Sequence, residues 1–375
     1  DMEFVQFHPT GMVWPPGVMG ILVTEGVRGE GGILRNKDGE RFMWKYLPEE
    51  RRAEYAADDA EASRWVTALS QGRESKDARR PPELSTRDNV ARAIYTEVKE
   101  GRGSPHGGVF LDISYLPPDH VRRKLPSMYD QFKELADVDI TKGPMEVGPT
   151  THYVMGGIRV DAETGAATVP GLFAAGESSG GMHGSNRLGG NSLSDLLVFG
   201  ARTGEGAAAY AAGKPDAYAD PVQVAQAARA LQAPLDRQGG EDPYAVQRDL
   251  QATMQSLVGI FRVDADLAEA IDRLAELRTR WANIGVKGGR AYNPGWNLVF
   301  ELGHLLTVSE AITRSARLRT ESRGAHSRID FPATDDAGWG DKNSVIRRAR
   351  DGSMEVRTAP LPKMAAELSA LLGTH

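Results

Sequence analysis

The sequence predicts an α+β protein with more than one domain. At about 100–200 residues per domain, a chain of 375 residues holds two or three domains. The first 35 residues are short apolar runs broken by glycine and proline, which is typical of strands joined by tight loops. Residues 221–320 instead show purely helical periodicity, and Asp351-Gly352 between two alternating segments predicts a β-hairpin.

The composition excludes several classes of protein. Apolar residues make up 40% and charged residues 26% of the chain, so it is neither disordered nor fibrous. It has no cysteine, which excludes disulfides, thiolate metal sites and Cys-ligated iron–sulfur clusters on this chain. No apolar run approaches the ~18–20 residues that a membrane-spanning helix needs. The net charge of −6 gives no indication of nucleic-acid binding.

The elements of the first half follow from local patterns. Residues 36–82 are charged and polar, and we expect solvated helix or loop there. Ser85-Thr86 precedes a helical pattern that Gly101 ends, and a hydroxyl at that start is expected to cap the helix. Residues 109–113 predict a short buried strand, and residues 151–161 a strand that leads into a glycine turn.

The second half is mostly helical. Residues 171–177 predict a buried strand that ends in a glycine and an acid, and a long helix is expected over 193–212. Gly200 and Gly204 lie one turn apart in that helix, which predicts close packing against another backbone. Apolar stripes between 221 and 320 predict an antiparallel bundle of about three helices.

Candidate chemistry lies in arginine, histidine and hydroxyl side chains within glycine-rich turns. No G-x-G-x-x-G, Walker A, H-E-x-x-H or EF-hand pattern occurs. Glycine lets backbone N–H groups approach a ligand, and arginine binds planar carboxylates in bidentate fashion. The start of the helix near Ser192 adds a positive dipole end. These features predict a dicarboxylate or phosphate-bearing ligand held by two cationic groups, although a structural role for each side chain stays open.

Six motifs occur in one order and carry a family resemblance. They are FHPTG (7–11), TEGVRGEGG (24–32), RDNV (87–90), HYVMGG (152–157), HGSNRLGGNSL (183–193) and ESRGAH (321–326). Together they resemble the flavoprotein subunit of succinate dehydrogenase and fumarate reductase, almost from end to end. The implied domains are the end of a first FAD-binding segment (1–7), a capping domain (8–145), a second FAD-binding α/β segment (146–212), a helical bundle (218–325) and a C-terminal region with the hairpin (326–375).

The resemblance also implies roles for ten residues, carried over by position. The residues implied to bind the substrate carboxylates are His8, Thr24, His152 and Arg187. Arg87 corresponds to the catalytic arginine that exchanges a proton with the substrate, and Glu25 and Arg28 to the relay that connects it to solvent. The positions implied to contact FAD are Glu177, Ser192 and Leu193.

The implied reaction is two-electron chemistry on a carbon–carbon bond. One carbon of succinate gives a hydride to N5 of the flavin while its neighbour gives a proton to Arg87, which leaves fumarate. The family passes the electrons to an iron–sulfur subunit, and from there to a quinone-reactive membrane anchor. The expected location is therefore the cytoplasmic face of the inner membrane, held there through the partner subunits.

Two other functions are compatible with these motifs. L-Aspartate oxidase shares several of the motifs, and a catalytically inert assembly partner could retain the fold.

The chain opens inside a strand-like stretch at Asp1 and lacks the family's upstream glycine fingerprint and the histidine that attaches FAD covalently. We therefore expect an internal cut at Asp1, and we expect the fragment alone to hold FAD poorly and to be inactive.

Overall fold

The computed structural model describes residues 1–73, 75–215 and 217–368, and the chain divides into two compact units. One unit is Gln6–Tyr153. The other combines Asp1–Val5 with the chain from Val154 onward. Both contain helices and strands, in agreement with the predicted α+β class.

The unit formed by residues 6–153 is built on a four-stranded sheet. Its strand order is β1-β4-β3-β2, and β3 pairs antiparallel with both β2 and β4. The helices and strands are β1 (Val5–Met12), α1 (Glu25–Gly29), β2 (Ile33–Arg35), α2 (Asp59–Ser70), α3 (Arg87–Lys99), β3 (Val109–Asp112), α4 (Pro118–Lys124), α5 (Pro126–Ala136) and β4 (Met145–Val154).

The core of this unit includes a segment that the sequence predicted to be solvated. Phe42 and Met43 are fully buried in a 3-10 helix between β2 and α2, so the region 36–82 is only partly a surface segment. Helix α3 follows the prediction, with Val90 and Ile94 in the same core. The side chain of Thr86, however, makes no capping hydrogen bond at its start.

The second unit is mainly helical and ends in a hairpin. Its elements are α6 (Asn191–Ala212), α7 (Pro221–Asp236), α8 (Pro243–Leu257), α9 (Asp264–Ala282), α10 (Pro294–Leu318), α11 (Asp336–Trp339), β5 (Lys342–Arg348) and β6 (Met354–Pro360). Helices α8, α9 and α10 enclose an apolar core, which confirms the predicted bundle. The hairpin is confirmed as well, and Gly352 has the positive φ of +85° that its turn requires. Among the described residues, no helix is both long and apolar enough to cross a membrane.

Two predictions for this unit are wrong. Residues 171–177 do not form a strand, because Phe173 has only a one-residue bridge to Ala166 and a strand needs a continuous pairing partner. Gly200 and Gly204 face open space, since a Cβ on either would meet no described atom within 4 Å. The close approach in α6 occurs at Gly206 instead, where a Cβ would lie 2.3 Å from the carbonyl oxygen of Thr164.

A buried ion-pair network joins the first residues of the chain to its C-terminal part. Arg319 follows α10, and its guanidinium lies 2.6 Å from Glu3 and 2.8 Å from Glu321. All three residues are at most 1% exposed. Arg262 is equally buried and donates to the carbonyl oxygen of Glu3 at 2.7 Å. Residues 1–3 are thereby part of the interior of this unit.

Candidate functional site

The short helix α1 brings two charged residues onto one face. Thr24 is its N-cap, and its hydroxyl accepts a hydrogen bond from the backbone N–H of Gly26 at 3.4 Å. Residues three apart on a helix are neighbours. The carboxylate of Glu25 accordingly lies 3.8 Å from Nη2 of Arg28. The helix therefore presents an acid at the surface and holds a fully buried arginine beneath it.

Arg87 is the central residue of the cluster. It is the first residue of α3, where the positive end of the helix dipole disfavours a cation. Its Nε donates to Oε2 of Glu25 at 2.8 Å, and its Nη1 donates to Nε2 of His152 at 3.3 Å. The side chain is 18% exposed, so the guanidinium is accessible from one side. A carboxylate and a neutral imidazole thus orient one guanidinium.

The two histidines lie on neighbouring strands, His8 on β1 and His152 on β4. Their rings meet edge to face with centroids 5.3 Å apart. Nε2 of His8 donates to the carbonyl oxygen of Val23 at 2.9 Å, which places the proton of the neutral ring on that nitrogen. Nε2 of His152 accepts from Arg87, so its own proton lies on Nδ1.

Burial and neighbouring charges tune the acid–base groups of the cluster. Burial lowers the pKa of Arg28 to about 10, with Glu25 opposing this effect and Arg87 adding to it. Burial raises the pKa of Glu25, but Arg28 and Arg87 outweigh it, and the net pKa lies below its ordinary value. The cluster therefore contains a carboxylate that stays ionised and a buried arginine that releases its proton more readily than one in water.

The structure places the remaining predicted residues in the second unit. Arg187 is 4% exposed in the loop before α6, and its Nη1 donates to the carbonyl oxygen of Leu188 at 3.2 Å. Glu177 lies in a 3-10 turn and accepts the N–H of Val154 at 3.0 Å. Ser192 and Leu193 belong to the first turn of α6.

The residues around the start of α6 fit a flavin. The N-cap of this 22-residue helix makes no side-chain capping hydrogen bond, so the positive end of the helix dipole can face an anionic group. The N–H groups of Asn191 and Leu193 already donate to backbone carbonyl oxygens at 3.2 and 3.1 Å. Leu188 and Leu193 are 71% and 66% exposed beside it, which offers apolar surface to an aromatic ring. An apolar surface next to an uncapped helix start is the combination that an isoalloxazine ring with a negative edge requires.

Sequence reasoning missed the residues that hold Arg28. Its Nη1 donates to the carbonyl oxygen of Glu83 at 2.7 Å. The carboxylate of Glu83 is fully buried and accepts two hydrogen bonds of 2.7 Å from Arg41. A backbone carbonyl is present in every residue, so no residue type marks this contact. The only feature of the sequence that pointed to this contact was Glu83 directly after the two prolines at 81–82, and an acid in that place is a weak indication of a buried partner for Arg28.

Acidification is expected to destabilise the fold through His8. Burial lowers its pKa from 6.5 to about 3, so below pH 6.5 the unfolded chain binds a proton that the folded chain does not. The contribution of neutral His8 to the free energy of unfolding is fully present above pH 6.5 and is lost as the pH falls towards 3. At pH 5 the expected loss is about 2 kcal/mol relative to pH 7. Buried His326, whose pKa burial also lowers, adds a loss in the same direction.

Urea denaturation at pH 7 and pH 5 measures this effect. His8→Gln should reduce the pH-dependent loss by about 2 kcal/mol, because glutamine does not titrate. His304→Gln is the matched control, since its side chain is exposed on α10. Equal pH dependence in wild type and His8→Gln would contradict the prediction.

Comparison with known protein families covers most of the chain. Residues 1–193 match a family described as FAD binding domain, and residues 247–369 match one described as fumarate reductase flavoprotein C-term. The fumarate reductase flavoprotein subunit of Mycobacterium tuberculosis is 37% identical over 374 residues, which are 96% of this chain and 59% of that protein. The Escherichia coli fumarate reductase flavoprotein subunit is 38% identical over 94% of this chain and 56% of that protein.

Solved structures give the same result. Mycobacterium smegmatis Sdh1 in complex with UQ1 matches with a TM-score of 0.79 and 49% identity, over 99% of this chain and 57% of that one. An Escherichia coli quinol fumarate reductase matches with a TM-score of 0.82 and 34% identity, over 98% of this chain and 60% of that one. The chain spans between 56% and 60% of the length of these four relatives. It belongs to the family of FAD-dependent succinate dehydrogenase and fumarate reductase flavoproteins.

Proposed function

We propose that the protein interconverts succinate and fumarate with FAD. The observation that supports this most strongly is the contact of Arg87 with both Glu25 and His152. These residues come from three distant motifs, yet they surround one accessible guanidinium. Such a group can bind a carboxylate or deliver a proton, depending on where the substrate lies.

The substrate carboxylates are bound by His152, Thr24, His8 and Arg187 in this proposal. His152 contributes its imidazole and Thr24 its hydroxyl. The proton of neutral His8 is already donated to Val23, so His8 contacts a carboxylate only by exchanging that bond for one to the substrate. Arg187 supplies a further guanidinium, as its place in the HGSNRLGG motif implies.

Proton transfer in this proposal belongs to Arg87. When bound, FAD accepts or supplies the hydride at one carbon of the substrate. Arg87 takes or gives the proton at the neighbouring carbon, and Glu25 and Arg28 exchange that proton with solvent. The lowered pKa of Arg28 suits this task, because a relay group must both gain and lose the proton. Glu177, Ser192 and Leu193 are the residues that hold the flavin in this proposal.

The electrons pass to a separate iron–sulfur subunit, then to a quinone. A chain without cysteine cannot hold a Cys-ligated cluster, so the proposal assigns that cluster to a partner. The related structure from Mycobacterium smegmatis contains UQ1, and the one from Escherichia coli is a quinol fumarate reductase. We place the chain at the cytoplasmic face of the inner membrane, bound through partner subunits.

Assays of the gene product that contains this chain test the proposal. We expect succinate to reduce an artificial dye and fumarate to reoxidise a reduced viologen. L-Aspartate should give no dye reduction. Activity with L-aspartate instead of succinate would identify an aspartate oxidase, and inactivity with all three substrates would identify a catalytically inert assembly partner. Either result would overturn the proposal.

Glu25→Gln tests the relay. The amide retains the shape of the side chain but removes the charge that faces both Arg87 and Arg28. We expect kcat to fall about 100-fold while KM stays within about threefold, because proton transfer and not binding is impaired. Glu30→Gln is the control, since Glu30 ends the same helix but faces His120 and Lys124. A kcat for Glu25→Gln equal to that of Glu30→Gln would exclude the relay.

A further inference from the structure

Residues 323–326 of the ESRGAH motif form a tight turn that has no role in the proposed chemistry. The backbone N–H of Arg323 donates to the carbonyl of His326, and that of His326 donates to the carbonyl of Arg323, both at 2.9 Å. Gly324 and Ala325 are therefore the two tip residues of a closed turn. Gly324 has a φ of +55°, a conformation that favours glycine.

The base of this turn is anchored in the interior of its unit. The ring of His326 is 1% exposed; Nδ1 accepts from Arg262 at 2.8 Å, and Nε2 donates to the carbonyl of Arg319 at 3.3 Å. The guanidinium of Arg323 makes two hydrogen bonds, of 2.8 and 3.0 Å, to the carboxylate of Glu321. These polar contacts hold the turn in one geometry. If the tip of the turn becomes larger, the segment that it contacts must therefore move, because the turn itself does not deform.

The tip of the turn contacts the loop that carries Arg187. The N–H of Ala325 donates to the carbonyl oxygen of Ser185 at 3.0 Å. A Cβ on Gly324 would lie 2.5 Å from that oxygen and 2.6 Å from the hydroxyl of Ser185, so only glycine fits without moving the loop. Arg187 is two residues farther along the chain.

The other side of the same loop is fixed to helix α6. Nε2 of His183 lies 3.3 Å from a carboxylate oxygen of Asp195, and both side chains are less than 10% exposed. The loop is thus held between α6 and the 323–326 turn. If the tip displaced Ser185, Arg187 would move as well, because His183 on the other side of Ser185 is fixed by its contact with Asp195.

We propose that the 323–326 turn positions Arg187, with Gly324 as the positioning residue for dicarboxylate binding. This rests on the proposed function, in which Arg187 binds a substrate carboxylate. Gly324 touches no substrate and acts only through the carbonyl of Ser185. Its replacement should therefore weaken binding of any dicarboxylate, whether or not that molecule reacts.

Gly324→Ala in the gene product that contains this chain tests the proposal. We expect KM for succinate and Ki for malonate, a dicarboxylate without a CH2–CH2 bond, each to rise about tenfold. We expect kcat to change less than about threefold. Gly240→Ala is the matched control, because Gly240 also has a positive φ, +101°, and a Cβ there would lie 2.5 Å from the carbonyl oxygen of Asn283. It should lower the thermal midpoint similarly but leave KM and Ki unchanged.

The outcomes separate this inference from the proposed function. Wild-type succinate activity with unchanged KM and Ki in folded Gly324→Ala overturns the positioning role alone. A wild type that acts on neither succinate nor fumarate overturns both proposals. If Gly324→Ala does not fold, Ala325→Gly retains the donor N–H but loosens the tip. It should raise Ki for malonate about threefold, and an unchanged Ki would overturn the positioning role.

Discussion

Replacing Arg87 by alanine in the gene product that contains this chain is expected to lower turnover about 1,000-fold or more while FAD remains bound. The variant removes the guanidinium that contacts both Glu25 and His152. Water cannot replace it as a positioned proton acceptor for succinate oxidation, because the acceptor must sit within hydrogen-bond reach of the proton that leaves the substrate. The measurement is single-turnover flavin reduction by succinate, with the flavin absorbance as a check on cofactor content.

Arg92→Ala is the matched control for this experiment. Arg92 lies on the same helix and pairs with Asp88 at 2.6 Å, but it has no contact with the site in the described structure. Its loss should leave turnover unchanged. Arg87→Lys is informative as well, since it retains the charge but not the two donor directions, and we expect it to be almost as impaired as the alanine variant. Substantial turnover in Arg87→Ala would refute the catalytic assignment.

Replacing Arg319 by methionine is expected to destabilise the second unit by about 3–5 kcal/mol. The substitution preserves much of the side-chain volume but leaves the fully buried carboxylate of Glu3 without its arginine, while Glu321 keeps its ion pair with Arg323. An unpaired buried charge is far less favourable than an unpaired exposed one. Urea denaturation measures the free energy of unfolding of each variant.

Arg317→Met gives the comparison, since Arg317 lies two residues earlier and makes an exposed ion pair with Asp264. We expect it to lose at most about 1 kcal/mol. Adding Glu3→Gln to Arg319→Met should recover part of the stability, because the buried carboxylate that has lost its arginine disappears. A loss below about 1 kcal/mol in Arg319→Met would show that the network contributes little to stability.

The sequence predicted those parts of the fold that depend on residues close together along the chain. The helical bundle and the hairpin at Gly352 follow from periodicity and one turn signal, and both are local. The strand expected at 171–177 was wrong, because strand formation needs a partner that the segment itself does not encode. Burial of Phe42 and Met43 was missed for a related reason: a short apolar run in a charged segment does not reveal which surface it contacts.

The candidate site was predictable only as an ordered set of motifs. No single motif indicated that Arg87, Glu25 and His152 would meet, but the family resemblance named all three, and the structure places them in contact. The supporting contacts were not predictable. The carbonyl oxygens of Glu83 and Ser185 hold Arg28 and the 323–326 turn, and backbone atoms leave no signature in residue type.

The network around Glu3 has a consequence for biosynthesis. Glu3 and Arg319 are 316 positions apart, so the carboxylate of Glu3 lacks the guanidinium of Arg319 while the intervening chain is made. At about 5–20 residues per second on the ribosome, that interval is roughly 15–60 s. Residues 1–5 are thus translated long before Arg319 and take their final place in this unit only after it, and a nascent chain that stalls before Arg319 leaves Glu3 without this partner.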